Sequence, residues 1–390
     1  MSQINEKHEM ANESTLIEFL LMGFSDNHDL QIMYFVMFLF MYLIAIMGNV
    51  VLVITVALNC SLHSPMYFFL VNISFSDICF ISTTIPKSML TFLTDNRVIT
   101  FTGCATQVFS IFTFAGSEIA LLTIMAYDRY VAICHPLQYS LILNWNACMQ
   151  MAASSWITCM IHALLETVIV FQWEYCRSHS IEQLFCDIPQ LQKISCTDTR
   201  PSQTLIFVTA IIVSLLCCGI IFVSYGYIFS AVLKIQSIQG KHKAFSTCIP
   251  HLIVFFLFLS TALFSYMTPK SHSSHSVELL SAVFYTVLPP LLNPIIYSFR
   301  NKNMKEAMLK TAVKMVMEGI MVTWQDKRYK FDTIEKAEDF YKQHCDIEED
   351  SGDQGEEKEV IEGRDLGKVI EEKERPQEIE RPKRRRDEIR

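Results

Sequence analysis

Charge is what most of this sequence lacks. Residues 1–320 hold 16 Lys or Arg and 18 Asp or Glu, about one charge in nine positions, in a chain of 390 residues. None stands between Asp29 and Asp77, and none from Pro201 to Leu233. So little charge cannot clothe a soluble globule. Glycine is scarce too, with 12 in the chain, and no Gly-rich loop that would cradle phosphates is apparent. No nucleophile–base constellation stands out either. The chain is therefore not read as an enzyme, and no cofactor is expected. No secretory leader is expected, because Glu6, Lys7, His8, Glu9 and Glu13 interrupt the first 15 residues. Nucleic-acid binding is not expected, because residues 1–320 are near neutral and the remainder is net acidic.

That remainder is the opposite case. Residues 321–390 carry 16 basic and 22 acidic side chains, too dense a charge to bury a core. They are predicted to be a disordered, charged tail.

Apolar residues make up 51% of the chain, with 28 Phe and 19 Met, and they gather in long runs. A membrane helix needs about 20 such residues to cross about 30 Å of hydrocarbon. The runs lie at 30–58, about 66–90, about 104–130, about 147–171, 201–233, about 244–268 and about 279–299. Backbone groups in hydrocarbon must be satisfied internally, so each run reads as a helix. The predicted fold is an all-α membrane protein, a seven-transmembrane helix bundle. Residues 1–29 form an N-terminal segment, 30–300 the bundle, 301–320 a short amphipathic helix and 321–390 the tail. A transporter is the rival architecture, but no repeat relates 30–130 to 147–299, and Pro289, Pro290 and Pro294 break only one run.

An odd number of spans puts the two ends on opposite sides. Arg129, Lys234, Lys241, Lys243, Arg300, Lys302, Lys305, Lys310 and Lys314 fall on one side, nine in all, against six on the other. The basic side is read as cytoplasmic. Asn12-Glu13-Ser14 is a glycosylation pattern, usable only outside. The expectation is an extracellular N-terminus, a glycan on Asn12 and a cytoplasmic C-terminus.

This topology puts Cys104, Cys176, Cys186 and Cys196 in an oxidising compartment. Cys104–Cys186 and Cys176–Cys196 are the expected pairs, although four cysteines allow three pairings and spacing does not choose. Cysteines within the spans read as small apolar filler, and no metal site is expected.

Polar groups inside a span are expensive and suggest function. Asn49, Asp77, Glu118 and Asn293 sit at similar depth in four different runs. They could share a hydrated pocket with a cation or a proton, or form a purely structural hydrogen-bond network. On the third run, Cys104 and Arg129 stand 25 residues apart, about 37 Å along a helix. One helix would thus carry the disulfide at one end and Asp128-Arg129-Tyr130 at the other. An Arg at a membrane boundary needs a partner, which Asp128 can supply.

The run from Met125 to Leu137 (Met-Ala-Tyr-Asp-Arg-Tyr-Val-Ala-Ile-Cys-His-Pro-Leu) resembles the signature of vertebrate odorant receptors, which are rhodopsin-like G-protein-coupled receptors. Pro65-Met66-Tyr67-Phe68-Phe69-Leu70, Lys243-Ala244-Phe245-Ser246-Thr247-Cys248 with His251, and the run from Pro289 to Ser298 resemble further family blocks. The resemblance covers about residues 12–315. It departs at Leu259, where many relatives carry a Tyr, and in the tail.

The resemblance implies a plasma-membrane receptor for small volatile odorants that couples to a stimulatory, olfactory-type G protein. A non-olfactory chemoreceptor of the same fold is the alternative. The ligand would meet Ile111, Phe112, Ala115 and Gly116 on the third span, Thr209 and Val213 on the fifth, Ala262 and Tyr266 on the sixth and Thr286 on the seventh. The switch would use Asp128, Arg129, Tyr130, Tyr225, Lys243, His251, Asn293, Pro294 and Tyr297. Arg129 would leave Asp128 for Tyr225 and Tyr297, and Pro294 would soften the seventh span where it flexes.

Overall fold

The computed structural model describes residues 18–22, 27–94, 96–175, 180–196, 199–234, 237–267, 275–300 and 302–317. The chain divides into two compact units, 1–328 and 329–390, and every described residue belongs to the first. Asn12, Cys176 and the 321–390 tail lie outside the described residues.

Eight helices carry the architecture: α1 (His28–Leu58), α2 (Pro65–Thr94), α3 (Phe101–Cys134), α4 (Trp145–Phe171), α5 (Arg200–Lys234), α6 (Ile238–Met267), α7 (His275–Arg300) and α8 (Lys302–Met317). Short turns of helix occupy Tyr139–Ile142 and Ile188–Ile194. Polar residues start several of them by satisfying free N–H groups. Asn27 Oδ1 accepts from Asp29 N at 2.9 Å, Thr100 Oγ1 from Gly103 N at 3.1 Å, and Asn144 Oδ1 from Ala147 N at 2.9 Å.

Six of these helices are long and apolar enough to cross a membrane. In α7 the apolar stretch among the described residues is the shorter Val283–Ser298, inside a helix of 26 residues. The outward faces fit such surroundings. On α5, Leu215, Leu216 and Val223 are all more than half exposed. That much bare apolar surface has no place in water and suits lipid.

Helix α3 is the hub, in contact with α2, α4, α5 and α6, while α1 packs on α2 and α7, and α8 on α1 and α7. Cysteines 148, 159, 217 and 218 are free thiols, and Cys148 and Cys248 are buried.

One end of the bundle is capped by strands that the helical pattern in the sequence did not foretell. Strands β1 (Glu18–Leu21), β2 (Val98–Thr100) and β3 (Ser180–Ile181) form a sheet of order β2-β1-β3. β1 pairs antiparallel with β2, Phe19 opposite Ile99, and parallel with β3, Leu21 opposite Ile181. Alternation does the rest: Phe19 and Leu21 point into the core, Glu18 and Leu20 out. Beneath them the Cys104–Cys186 disulfide ties the start of α3 to the 180–196 segment, Cα to Cα 5.5 Å.

Candidate functional site

At the end opposite the sheet, Asp128 and Arg129 meet as expected. Arg129 Nε donates to Asp128 Oδ2 at 2.7 Å, and Nη2 bonds the same oxygen. Asp128 is fully buried and Arg129 partly so, its side chain 14% exposed. The second carboxylate oxygen accepts from the Tyr139 hydroxyl at 2.8 Å. Burial, reinforced by the Asp128 charge, pushes the Tyr139 phenol well above its ordinary range, so it stays a donor. Tyr139 was not anticipated. Its distance of 11 residues from Asp128 hides the contact, which exists because the linker after α3 folds back under the helix end.

Tyr225 and His251 form a second latch. Leu122 O can only accept, so His251 Nε2 carries a hydrogen and donates to it at 2.8 Å. The neutral ring then leaves Nδ1 bare, and the Tyr225 hydroxyl donates to it at 2.9 Å. Helices α3, α5 and α6 are thereby joined through one imidazole, both side chains being buried. Tyr225 thus faces His251, not Arg129. Tyr130 lies elsewhere, its hydroxyl 3.0 Å from His135 Nε2. The Lys243 side chain is outside the described residues.

The buried polar residues at mid-depth converge. Asn293 Nδ2 donates to Asp77 Oδ2 at 2.9 Å and to Glu118 Oε1 at 3.1 Å. Asp77 Oδ1, Asn293 Oδ1 and the Tyr297 hydroxyl have no hydrogen-bond partner among the described residues. Asn49 instead serves the backbone, donating to Ala45 O at 2.9 Å and Pro290 O at 2.8 Å. Pro294 sits against α1, 3.0 Å from where a Cβ on Gly48 would stand.

The expected ligand residues divide. Ile111, Ala115 and Ala262 share one apolar cluster with Leu184, Phe185 and Phe258. Phe112 joins the cluster under the sheet, and Gly116 packs against Cys159 of α4. Thr209 spends its hydroxyl on its own helix, at Leu205 O 2.9 Å away, and Val213 is exposed. Thr286 is fully buried, and the Tyr266 side chain is outside the described residues. Leu184 and Phe185 are the additions. Gln107 Oε1 accepts from Cys186 N at 2.9 Å, and the Ser88 hydroxyl donates to Leu184 O at 3.1 Å, holding this stretch over the bundle. Their position beside Cys186 was the available signal, since a disulfide to α3 must drag its neighbours across the helix end. A cavity of about 310 Å³ lies elsewhere, between α1 and α2, lined by Val50, Val53, Ile54, Val71, Asn72, Phe75 and Ile78. It opens to the apolar exterior and holds none of the expected ligand residues.

A family model described as "Olfactory receptor" matches residues 38–315. The chain belongs to the olfactory receptor family. It is 44% identical to Olfactory receptor 14A16 of Homo sapiens over 310 residues, covering 80% of this chain and 98% of that one. It is 42% identical to Olfactory receptor 1G1 of Gorilla gorilla gorilla (77% and 96% covered) and 43% identical to Olfactory receptor 1C1 of Homo sapiens (78% and 98%). Family membership and the apolar helices together make this a multi-pass plasma-membrane protein of the G-protein-coupled receptor type, a class of receptors rather than enzymes.

Proposed function

We propose that this receptor binds small volatile odorants beneath its sheet-capped end and, from the Arg129 end, activates a stimulatory, olfactory-type G protein that raises cAMP. The sheet and the N-terminus face outward, and α8 and the C-terminus face the cytoplasm. Residues 1–29, 30–300, 301–320 and 321–390 are then the extracellular segment, the receptor bundle, the cytoplasmic amphipathic helix and the charged cytoplasmic tail. Asn12 carries a glycan, and Cys176 pairs with Cys196.

The observation that carries the reading is the closed Asp128–Arg129–Tyr139 cluster beside a Tyr225 held by His251. This is a resting arrangement. A ligand shifts it only by binding the other arrangement more tightly. On activation Arg129 exchanges Asp128 for Tyr225 and Tyr297, Tyr225 lets go of His251, and the Lys243 end of α6 moves out to admit the G protein. The acceptors left open on Asp77 and Asn293, beside Glu118, suit a shared proton or a small cation that differs between the two states. The odorant lies against Ile111, Phe112, Ala115, Gly116, Thr209, Val213, Ala262, Tyr266 and Thr286, with Leu184 and Phe185 above.

The test is Arg129→Ala in cells carrying a cAMP reporter, with surface amount measured alongside. Ligand-stimulated cAMP should vanish while surface receptor persists. A response retained at normal surface levels would overturn the proposed switch.

A further inference from the structure

We propose that Glu166 anchors the ammonium group of a primary-amine ligand, which names the chemical class for this receptor and rests on the odorant-site reading above. Glu166 lies on the buried stripe of α4, with Ala163, Thr167 and Val170, and is only 4% exposed. Neither carboxylate oxygen has a hydrogen-bond partner among the described residues. The nearest titratable nitrogen, His162 Nε2 one turn away, stands 3.7 Å from Oε1, beyond hydrogen-bond reach. No Lys or Arg pairs with it among the described residues. A carboxylate is acceptor-only, and burying its oxygens without a hydrogen-bond donor is costly even with an imidazole 3.7 Å away.

Two contacts fix its depth. Gly116 of α3 packs on Cys159 of α4, so Glu166, seven residues on, is about 10 Å nearer the sheet and level with the turn holding Phe109 and Phe112. Trp173 Nε1 donates to the Ser202 hydroxyl at 3.1 Å, linking the top of α4 to α5. Seven residues below Trp173 is Glu166, and seven below Ser202 is Thr209. Glu166 is therefore at the depth of Phe112 and Thr209, two of the residues proposed to meet the odorant.

The missing chemistry is one positive charge with several N–H donors. A metal ion is a poor fit, because the described residues hold no group of three His, Cys, Asp or Glu able to share one. A primary ammonium brings three donors, enough for both Glu166 oxygens, and its alkyl chain would lie at the depth of Phe112.

The experiment uses the full-length receptor in nanodiscs at neutral pH. Thermal unfolding is followed against n-alkylamines of graded length, the matching alcohols and the matching alkyltrimethylammonium ions. Amines should raise the unfolding midpoint at concentrations where alcohols and trimethylammonium ions do not, the latter keeping charge but lacking donors. Glu166→Gln should need roughly tenfold more amine for the same shift. Equal shifts from amine and alcohol, or an unchanged Glu166→Gln response, overturn the ammonium anchor and leave the odorant site standing. No shift from any compound overturns the anchor and counts against the odorant site as well. Should Glu166→Gln not fold, the three-ligand comparison on the unaltered receptor decides.

Discussion

Asn49 on α1 donates from Nδ2 to the carbonyl of Pro290 on α7, 2.8 Å away. The bond answers a deficit written in the sequence. In a regular helix the N–H of residue 294 would serve that carbonyl, but Pro294 has none. A side chain from another helix fills the gap, while Gly48 lets the Pro294 ring come close. Asn49→Ala leaves the carbonyl buried and unpaired, at a cost of about 1–3 kcal/mol. Asn49→Ala should therefore lower the unfolding midpoint in nanodiscs. A midpoint unchanged from the parent would mean that water or a shifted helix supplies the donor.

Tyr139 holds the second oxygen of Asp128, so it helps keep the Arg129 cluster closed. Tyr139→Phe removes a hydrogen bond to a charged group, worth about 1.5–3 kcal/mol. Basal cAMP without ligand should rise by roughly tenfold or more, since each 1.4 kcal/mol of resting-state stabilisation lost is about a factor of ten. The folded phenol titrates above the ordinary value of 10.0, so its contribution is complete below that pH and fades only as pH climbs through the higher folded value. The stability difference between Tyr139→Phe and parent should accordingly be flat from about pH 6 to 9. A difference that changes across that window would place the controlling titration elsewhere.

His251 and Tyr225 should behave as a unit, because one imidazole carries both bonds. His251→Phe frees the Leu122 carbonyl and the Tyr225 hydroxyl at once. Tyr225→Phe alone leaves His251 bound to Leu122. In a double-mutant cycle read by thermal unfolding, the pair should depart from additivity by about 0.5–3 kcal/mol. Strict additivity would mean that the 2.9 Å contact is not a hydrogen bond of consequence.

The helices were readable because lipid imposes a rule as blunt as their composition. Charge-free runs such as 201–233 leave the chain little choice, and the observed α5, Arg200–Lys234, differs by a residue at each end. Asp77, Glu118 and Asn293 were readable for the same reason, since each is conspicuous in an apolar run. What stayed hidden depends on tertiary closure. Phe19 and Leu21 look like any short apolar stretch until β2 and β3, from distant loops, flank them. Glu166 was visible as a charge in the fourth run, but only the structure shows its oxygens without donors among the described residues. The neighbours of the ligand wall were not readable, because which side chain meets which depends on how the helices pack: Phe112 joins the cluster under the sheet and Gly116 meets Cys159 of α4.

The sheet offers the sharpest test of register. Phe19 is fully buried, 5.3 Å edge-on to the Tyr175 ring, while its neighbour Leu20 is 47% exposed. Phe19→Ala should cost about 3–5 kcal/mol, the usual range for emptying an aromatic site in a core. Leu20→Ala should fall within about 0.5 kcal/mol of the parent, as exposed substitutions do. Both are read by thermal unfolding in nanodiscs, with surface expression as a second measure. The contrast matters more than either value, because side chains alternate across a strand and a slip of one residue exchanges the two positions. If Leu20→Ala proves the more damaging of the two, β1 pairs with β2 and β3 in the shifted register, and the cap over α3 is built differently from the arrangement described above.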